Sequence, residues 1–364
     1  MTTNKTDHLY LHVPFCKSIC YYCDFCHRIY RKDIAEKWLE RVKEEIQENC
    51  EGHYETVYLG GGTPTCLTCE ELDCLLSYLD PYTKGALEYT AEANPESLDE
   101  EKIHIFKKHG VNRISLGIQS SDENLLKIMN RHHSFDDVRN TVELLRRNGL
   151  TNISGDLMYS LPFQTMDILK KTLDDVLSLD LPHLSIYSLT LEENSVFAKK
   201  GYTPLEEDIE ADMYEYIVER LREGGYLHYE VSNFAREGYE SKHNFGYWRY
   251  DDFLGISMGA ASKIGGLRFT NTTSFERYFH DEDIREEVTE LTKEDEMFEN
   301  VMMSLRTLEG LDLKTFEERY GISFEEHYQE AIKKHSQDLV FEKGRVRARN
   351  LALLHPLLID FLED

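Results

Sequence analysis

The sequence predicts an α/β protein built around a partial (β/α)6 barrel of the TIM type, followed by a small, mainly helical domain. Two observations lead to this prediction. Short apolar segments alternate with amphipathic segments through the first two thirds of the chain, and polar or glycine motifs follow the apolar segments. Six strand–helix pairs in succession indicate parallel strands joined by helical crossovers. In such barrels the functional residues gather at the carboxyl ends of the strands.

The six predicted pairs run from residue 9 to residue 223. Each strand is a short apolar run, and each following segment repeats its apolar residues at helical spacing. Gly110 and Gly149 lie just beyond the ends of two of the helices, where a terminal glycine is common. The predicted strands are 9–13, 56–59, 87–93, 113–118, 153–158 and 183–189, and the predicted helices are 34–46, 70–79, 99–109, 135–147, 166–179 and 209–223.

The pattern changes after residue 225. Residues 226–234 are predicted to form an extra strand, whereas 235–280 is rich in Gly, Tyr, Phe and Asn and has no clear period. The acidic stretch 281–300 is expected to open a separate helical piece.

The last part of the chain is predicted to resemble a small winged-helix domain. Its expected elements are helices at 313–320, 325–334 and 351–361 and a hairpin at 339–348. The expected domains are the barrel at 1–235, a connecting segment at 236–290 and the C-terminal domain at 291–364.

The charge balance restricts the partners that the protein is expected to have. The 364 residues include 68 acidic and 41 basic ones, a formal charge of −27. Nucleic acid and anionic membranes are therefore disfavoured, because most of the surface would repel them. No segment approaches the roughly 20 apolar residues of a membrane span, and the first residues lack the apolar stretch of a signal peptide. The expected location is the cytoplasm.

Four of the eight cysteines lie between positions 16 and 26. A chain without an export signal is expected to keep its thiols reduced, so this clustering indicates a metal. The spacing Cys16-x3-Cys20-x2-Cys23 places three thiolates on one loop, which suits three corners of an iron–sulfur cube with one open iron. A structural zinc ion usually takes four ligands in two separated pairs. Zinc and chance remain the alternatives.

The sequence around these cysteines resembles a known family. CxxxCxxC with an aromatic residue, Tyr22, before the last cysteine is similar to the signature of radical S-adenosylmethionine (SAM) enzymes. The longer segment YLHVPFCKSICYYCDF resembles the oxygen-independent coproporphyrinogen III oxidase family, in which the haem chaperone branch is most similar. The resemblance runs from Tyr10 to about Phe279, with a weaker match through Leu362.

The resemblance implies two cofactors. A [4Fe–4S] cluster would be held by Cys16, Cys20 and Cys23, and SAM would chelate the open iron through its amino and carboxylate groups. Reduction of the cluster would cleave SAM to methionine and a 5′-deoxyadenosyl radical.

Motifs at the ends of later strands are candidates for binding SAM. The glycine loop 60–64 (GGGTP) follows the second strand, and its backbone amides can approach a ligand closely, although glycines are also routine in turns. Glu92, Gln119 and Asp156 lie on later strands, where a buried polar side chain needs a partner. A salt bridge across the barrel mouth is the alternative explanation for these three residues.

The resemblance implies specific roles for these motifs. The glycine loop would hold the amino end of SAM, Arg131 would pair with its carboxylate, and Asp156 would bind the ribose hydroxyls. The implied SAM contacts are Tyr10, Tyr22, Gly61, Gly62, Thr63, Glu92, Gln119, Arg131 and Asp156.

A second motif, HNFGYW at 243–248, lies in the aromatic segment. Imidazole is an ordinary axial ligand of haem iron, although a lone loop histidine is more often structural. The pattern HNxxYW is similar to one that the haem chaperone branch associates with haem. The resemblance implies that His243 contacts haem and that Tyr247 and Trp248 pack against the ring.

Several positions separate this chain from the oxidase pattern or from the usual chaperone pattern. Phe25 stands where the oxidase has a fourth cysteine, and only nine residues precede Tyr10, where the oxidase has a long segment. Cys26 is unusual for the chaperone branch and is interpreted as a spare thiol, with haem ligation or replacement of a lost ligand as the alternatives. Ser257 and Ala261 replace an expected Gly and His. Cys66, Cys69 and Cys74 are interpreted as incidental thiols, with a second metal site as the alternative.

The sequence-based hypothesis is a haem chaperone that passes haem to an acceptor, such as a respiratory haem protein. Oxidative decarboxylation of coproporphyrinogen III and modification of the haem ring are the alternatives. Each of these functions needs an electron donor. Arg28, Arg31 and Lys32 are expected to steer an acidic flavodoxin or ferredoxin toward the cluster. The alternative is a few solvated cations.

Overall fold

A computed structural model describes residues 6–363 and contains a central twelve-stranded mixed sheet. The strands are β1 (His8–Val13), β2 (Phe15–Cys16), β3 (Arg28–Ile29), β4 (Thr56–Gly61), β5 (Glu88–Ala93), β6 (Arg113–Gln119), β7 (Ile153–Tyr159), β8 (His183–Ser188), β9 (Leu227–Glu230), β10 (Asn233–Ala235), β11 (Phe253–Ile256), β12 (Ala261–Ile264), β13 (Leu267–Asn271), β14 (Arg285–Glu290), β15 (Leu311–Asp312), β16 (Leu339–Glu342) and β17 (Arg345–Ala348).

The helices cover the outer face of this sheet and form most of the C-terminal region. They are α1 (Lys32–Asn49), α2 (Cys69–Thr83), α3 (Glu100–Lys108), α4 (Glu123–Ile128), α5 (Phe135–Arg147), α6 (Met166–Leu177), α7 (Val196–Lys199), α8 (Glu207–Glu223), α9 (Lys242–Trp248), α10 (Phe275–His280), α11 (Lys293–Ser304), α12 (Leu313–Tyr320), α13 (Phe324–His327), α14 (Gln329–Lys334) and α15 (Leu354–Glu363).

The predicted barrel is confirmed. Strands β1, β4, β5, β6, β7 and β8 are neighbours in that order and pair in parallel. Side chains alternate between the two faces of a strand, and in β1 the apolar residues Leu9, Leu11 and Val13 are fully buried in the core shared with the helices.

The opposite, inward face of these strands is polar. The inward side chains bond or stack with one another across the barrel strands. Such groups are tolerated inside a protein because they satisfy each other. They are His8, Tyr10 and His12 of β1, Thr56 and Tyr58 of β4, Glu88, Thr90 and Glu92 of β5, Arg113 and Ser115 of β6, Ser154 and Asp156 of β7, and His183 and Ser185 of β8.

Two of the predicted elements between residues 226 and 300 were wrong. The single strand expected at 226–234 is the hairpin β9–β10, whose turn is closed by the backbone N–H of Ser232 donating to Glu230 (3.0 Å). The acidic 281–300 segment contains strand β14 before helix α11 begins. Most β14 side chains are exposed at the sheet edge, so the strand lacks an apolar pattern.

The segment 236–290 contributes two helices and four strands. Strand β11 pairs in parallel with β1 on the side opposite β4, and β12, β13 and β14 continue the sheet outward in antiparallel order. The main sheet therefore extends beyond the six predicted strands.

The C-terminal region has its own apolar core, centred on Phe316, Phe324 and Phe361. It combines helices α11–α15 with the three-stranded sheet β15-β17-β16. The mainly helical character and the hairpin β16–β17 were predicted, whereas strand β15 was not. The single helix predicted at 325–334 is instead α13 and α14, which meet at the buried Tyr328 (φ −106°, ψ 42°). Within residues 6–363, no helix combines the length and the apolar character that a membrane span requires.

The β9–β10 hairpin gives the fold a testable pH dependence. Burial raises the pKa of Glu230 from 4.5 to about 7, so the folded protein binds a proton more tightly than the unfolded chain. Stability contributed by the protonated carboxyl is therefore lost as pH rises from about 4.5 to about 7.

We predict that Glu230→Gln removes this decline and raises the free energy of unfolding at pH 8 by up to about 3 kcal/mol, from about 1.4 kcal/mol per pKa unit. Urea denaturation at pH 5 and pH 8 measures the effect. The exposed Glu237→Gln is the matched control, and an equal pH response in wild type and Glu230→Gln would contradict the prediction.

Candidate functional site

The three motif cysteines lie on a loop that is pinned at several points. Its base is the short parallel pairing of β2 with β3, in which Cys16 is opposite Ile29. Farther along, the backbone N–H of Tyr21 donates to the carbonyl of Met129 (3.0 Å), and the side chain of Asn130 donates to the carbonyl of Ile19 (2.8 Å). These contacts fix the loop at the barrel mouth.

Each motif thiol faces a different polar neighbour. Cys16 Sγ lies 3.7 Å from Thr63 Oγ1, Cys20 Sγ lies 3.7 Å from Arg131 Nη1, and Cys23 Sγ lies 3.7 Å from His27 Nδ1. Burial raises the pKa of Cys16 to about 11 and that of Cys23 to about 12. Binding to iron must therefore displace protons from these thiols.

The state and position of the thiols fit an iron–sulfur core. All three motif cysteines are free, partly buried and carried by one loop. Thiolates so placed suit three corners of such a core. Among residues 6–363, no group of three or more His, Cys, Asp or Glu side chains is arranged around a single metal position.

The glycine loop lies directly against the base of the cysteine loop. The backbone N–H of Gly62 donates to the carbonyl of Val13 (2.8 Å), and that of Thr63 donates to the carbonyl of Phe15 (2.7 Å). A Cβ on Gly62 would be 2.5 Å from the Phe15 carbonyl oxygen, and Gly61 has φ +104°. Both positions therefore require glycine.

Glu92 and Asp156 are two inward carboxyl groups near the mouth. The Tyr58 hydroxyl donates to Glu92 (3.0 Å), and burial together with the Asp156 charge raises the pKa of Glu92 to about 8. Asp156 accepts hydrogen bonds from Ser115 (2.8 and 3.0 Å) and Ser154 (3.0 Å), and burial raises its pKa as well. A cationic ligand such as a sulfonium with an ammonium group would relieve the cost of two buried carboxylates.

Arg131 and Gln119 present buried polar atoms at the same end of the barrel. Arg131 Nη2 donates to Asn94 Oδ1 (2.8 Å) and to the carbonyl of Gly117 (2.7 Å). Arg131 Nε and Gln119 Oε1 have no hydrogen-bond partner among the described residues, and Gln119 adopts φ +61°. Buried orphan atoms of this kind call for a polar ligand, so the residues present fit SAM.

Tyr10 lies on β1 and Tyr22 on the cysteine loop. The Tyr10 ring stacks on the Tyr58 ring (centroids 6.1 Å apart), and its hydroxyl is 3.0 Å from His12 Nδ1. Burial, with a smaller contribution from Cys20, raises the pKa of Tyr22, whereas the nearby Arg131 charge acts to lower it. The structure therefore brings the predicted SAM contacts together around the mouth.

The HNxxYW residues lie elsewhere. His243 Nδ1 is 2.8 Å from Thr56 Oγ1 at the start of β4, and its Nε2 is 2.8 Å from the Tyr247 hydroxyl. Burial lowers the pKa of His243 to about 3, so the ring is neutral. These residues belong to the floor of the barrel, at the amino ends of the strands, and the haem role of His243, Tyr247 and Trp248 stays a prediction.

Sequence reasoning missed several residues of the site. Asn94 bridges Arg131 and Thr63 by accepting from the former and donating to the latter (3.0 Å). Tyr58, Ser115 and Ser154 hold the two carboxyl groups. The available signal was the alternation of polar residues along the strands, as in ExTxE at 88–92, which marks a polar inward face.

The structure also locates the other cysteines discussed above and the loop that contains Ser257 and Ala261. Cys26 packs against Gly259, at which a Cβ would be 2.6 Å from the Cys26 Cβ. Ser257 accepts a hydrogen bond from Trp38 Nε1 (2.8 Å), and Cys74 lies 2.8 Å from the Tyr78 hydroxyl. Cys66 lies in a short 3-10 turn before α2, and Cys69 is the first residue of α2. Ala261 is the first residue of β12.

Family comparison agrees with this geometry. Residues 10–176 match the Radical SAM superfamily, and residues 291–354 match the HemN C-terminal domain. The solved structure of coproporphyrinogen III oxidase (HemN) from Escherichia coli is similar with a TM-score of 0.85 at 21% identity, covering 98% of this chain and 90% of that one. The fold and the cysteine loop thus define a radical SAM protein, a class that uses a [4Fe–4S] cluster and SAM.

Curated relatives show which family within the radical SAM class the chain belongs to. The chain is 39% identical to the protein named "Heme chaperone HemW" from Lactococcus lactis, covering 88% of this chain and 86% of that protein. It is 38% identical to the protein of the same name from Bacillus subtilis, covering 86% and 87%. The chain belongs to the HemW family, which confirms the resemblance that the sequence suggested.

We predict that Cys16→Ala, Cys20→Ala and Cys23→Ala each prevent cluster assembly, because each removes one of three protein ligands. Iron and acid-labile sulfide are measured after anaerobic reconstitution. Cys26→Ser, a change in the same loop, is the matched control and should retain wild-type iron and sulfide. A full cluster in any of the three alanine variants, or its loss in Cys26→Ser, would contradict this assignment.

Proposed function

We propose that this protein is a cytoplasmic haem chaperone that binds haem and delivers it to an acceptor haem protein. The observation that carries the proposal is the match, over most of the chain, to several proteins named heme chaperone HemW. The barrel-mouth geometry supports the radical SAM part of the assignment.

The positions of the side chains support the proposed cofactor contacts. Cys16, Cys20 and Cys23 would hold the [4Fe–4S] cluster, and the backbone carbonyl groups of the glycine loop together with Glu92 would accept hydrogen bonds from the amino end of SAM and orient it. When bound, the cluster and SAM supply one-electron reduction and a 5′-deoxyadenosyl radical. Arg131, already fixed by Asn94 and the Gly117 carbonyl, would pair with the SAM carboxylate.

The carboxyl group of Asp156 has a separate proposed role. Asp156 would bind the ribose hydroxyls, because Ser115 and Ser154 orient its oxygens from inside the barrel. Gln119 would offer its unpartnered Oε1 to the same ligand. Tyr10, Tyr22 and Thr63 would border SAM on the remaining sides.

Oxygen-independent coproporphyrinogen III oxidase is the second candidate, since its fold is shared over almost the whole chain. The side chain at position 25 argues against it. The oxidase pattern has a cysteine there, whereas this protein has Phe25, which is 66% exposed and unable to act as a metal ligand.

An anaerobic assay separates the two functions. We predict that the reconstituted protein with SAM and reductant forms no protoporphyrinogen IX from coproporphyrinogen III, and that the haem-loaded protein transfers haem to an apo b-type haem protein. Porphyrin products are measured by chromatography, and transfer is measured from the acceptor's absorption spectrum. Multiple turnovers of coproporphyrinogen III would overturn the chaperone proposal, as would the absence of any haem transfer.

We also propose that an acidic flavodoxin or ferredoxin docks beside the cysteine loop at Arg28, Arg31 and Lys32. The Arg28 guanidinium lies over the Phe275 ring, 4.4 Å from its centroid. Arg31 pairs with Asp33 (2.7 Å), and Lys32 lies 3.9 Å from Glu36, so the net positive charge of this patch is small. Exposed ion pairs of this kind contribute little free energy and are screened by salt. Arg31 and Lys32 are therefore able to exchange Asp33 and Glu36 for acidic groups of a docking protein.

The prediction is that the triple charge reversal Arg28→Glu, Arg31→Glu and Lys32→Glu slows reduction of the cluster by reduced flavodoxin about tenfold or more at low ionic strength. Stopped-flow absorbance between 20 and about 300 mM salt measures the rate, because screening grows over that range. Lys333→Glu, on the distant helix α14, is the control. An unchanged salt dependence in the triple variant would exclude this docking surface.

A further inference from the structure

The HNxxYW segment of helix α9 packs against the floor of the barrel, and its His243 is connected to the proposed SAM site through Tyr58 and Glu92. We propose that His243 and Tyr247 are positioning residues for the SAM site and do not ligate haem iron. This inference rests on the proposed role of Glu92 in binding SAM. It adds to the proposed function that the haem-binding site lies away from this motif.

The His243 ring has no free nitrogen in the structure. Only 1% of the residue is exposed, and its two ring nitrogens are each 2.8 Å from a hydroxyl oxygen, that of Thr56 and that of Tyr247. Thr56 Oγ1 is also 2.7 Å from His8 Nδ1. An iron–imidazole bond would therefore require one of these buried hydrogen bonds to break and leave a hydroxyl unpaired, which is costly.

Helix α9 is also held in place along its whole length. The Glu88 carboxylate accepts hydrogen bonds from the Ser241 hydroxyl (3.2 Å) and from the backbone N–H groups of Lys242 (2.9 Å) and His243 (3.0 Å). At the other end, the Ser304 hydroxyl of α11 donates to the carbonyl of Trp248 (3.3 Å). The start of the motif is thus tied to β5, and its end to the C-terminal region.

The glycine of the motif is explained by the same close packing. A Cβ on Gly246 would lie 2.5 Å from His8 Nε2 and 2.6 Å from His8 Cε1. Any larger residue would push α9 away from β1 and open the floor of the barrel. A flat haem ring has no room between this helix and the strands.

Two contacts connect His243 with the proposed SAM site. The His243 ring centroid is 5.3 Å from that of Tyr58, and the Tyr58 hydroxyl donates to Glu92. Tyr10, a second predicted SAM neighbour, also stacks on Tyr58. Tyr247 fixes the His243 ring by its hydrogen bond and by an edge contact with centroids 4.9 Å apart. Residues of this second layer commonly set the orientation of the groups that touch a ligand.

Two substitutions and one control test the inference on the full-length, reconstituted protein. His243→Gln keeps a polar side chain, Tyr247→Phe keeps the ring and removes only the hydroxyl, and His53→Gln changes an exposed histidine before β4. SAM affinity is measured from the change in the electron paramagnetic resonance (EPR) signal of the reduced cluster, and haem affinity is measured by absorbance titration. Thermal unfolding reports stability separately.

We expect His243→Gln and Tyr247→Phe to raise the Kd for SAM about tenfold, as is typical for loss of a second-layer partner, with haem affinity equal to that of His53→Gln. A lower Tm with an unchanged Kd for SAM in both variants would show a structural role only and would overturn the inference. Loss of haem binding in either folded variant would also overturn it. Failure of the wild-type protein to bind SAM would instead overturn the proposed SAM site itself, and this inference with it.

Discussion

Two backbone hydrogen bonds, from Gly62 to Val13 and from Thr63 to Phe15, hold the glycine loop against the base of the cysteine loop, and the rest of the site depends on this contact. It allows no side chain at position 62, because a Cβ there would collide with the Phe15 carbonyl. Thr63 consequently reaches Cys16, and Asn94 connects Thr63 with Arg131. The loop that would hold the cluster and the residues that would hold SAM are thus parts of one rigid arrangement.

The polar interior of the barrel supports this arrangement from below. Most barrels are filled with branched apolar side chains, whereas here histidine, tyrosine, serine and carboxyl groups fill the space between the floor and the mouth. Each carboxyl group near the mouth is oriented by hydroxyl donors, Glu92 by Tyr58 and Asp156 by Ser115 and Ser154. A preorganised site of this kind loses little entropy when a charged ligand binds.

The sequence was informative where local chemistry determined structure, and less so where tertiary packing did. The cysteine spacing, the glycine loop and the strand–helix alternation predicted the barrel and its mouth, because spacing and period are local properties. The hairpin at β9–β10 and the edge strand β14 were missed, since a turn closed by Glu230 and a strand with exposed side chains leave no apolar period. The location of His243 was not predictable from the motif, because it depends on tertiary contacts. The His243 ring bonds to Thr56 of β4, its backbone N–H donates to Glu88 of β5, and Gly246 packs against His8 of β1.

The central claim is that three cysteines hold a cubane cluster whose open iron binds SAM. EPR spectroscopy of the anaerobically reconstituted, reduced protein, with and without SAM, tests it most directly. The account predicts about four irons and four sulfides per chain, as a [4Fe–4S] core requires, and a signal whose g-values shift when SAM is added. Protein without iron and sulfide, or a cluster signal that SAM leaves unchanged, would contradict it.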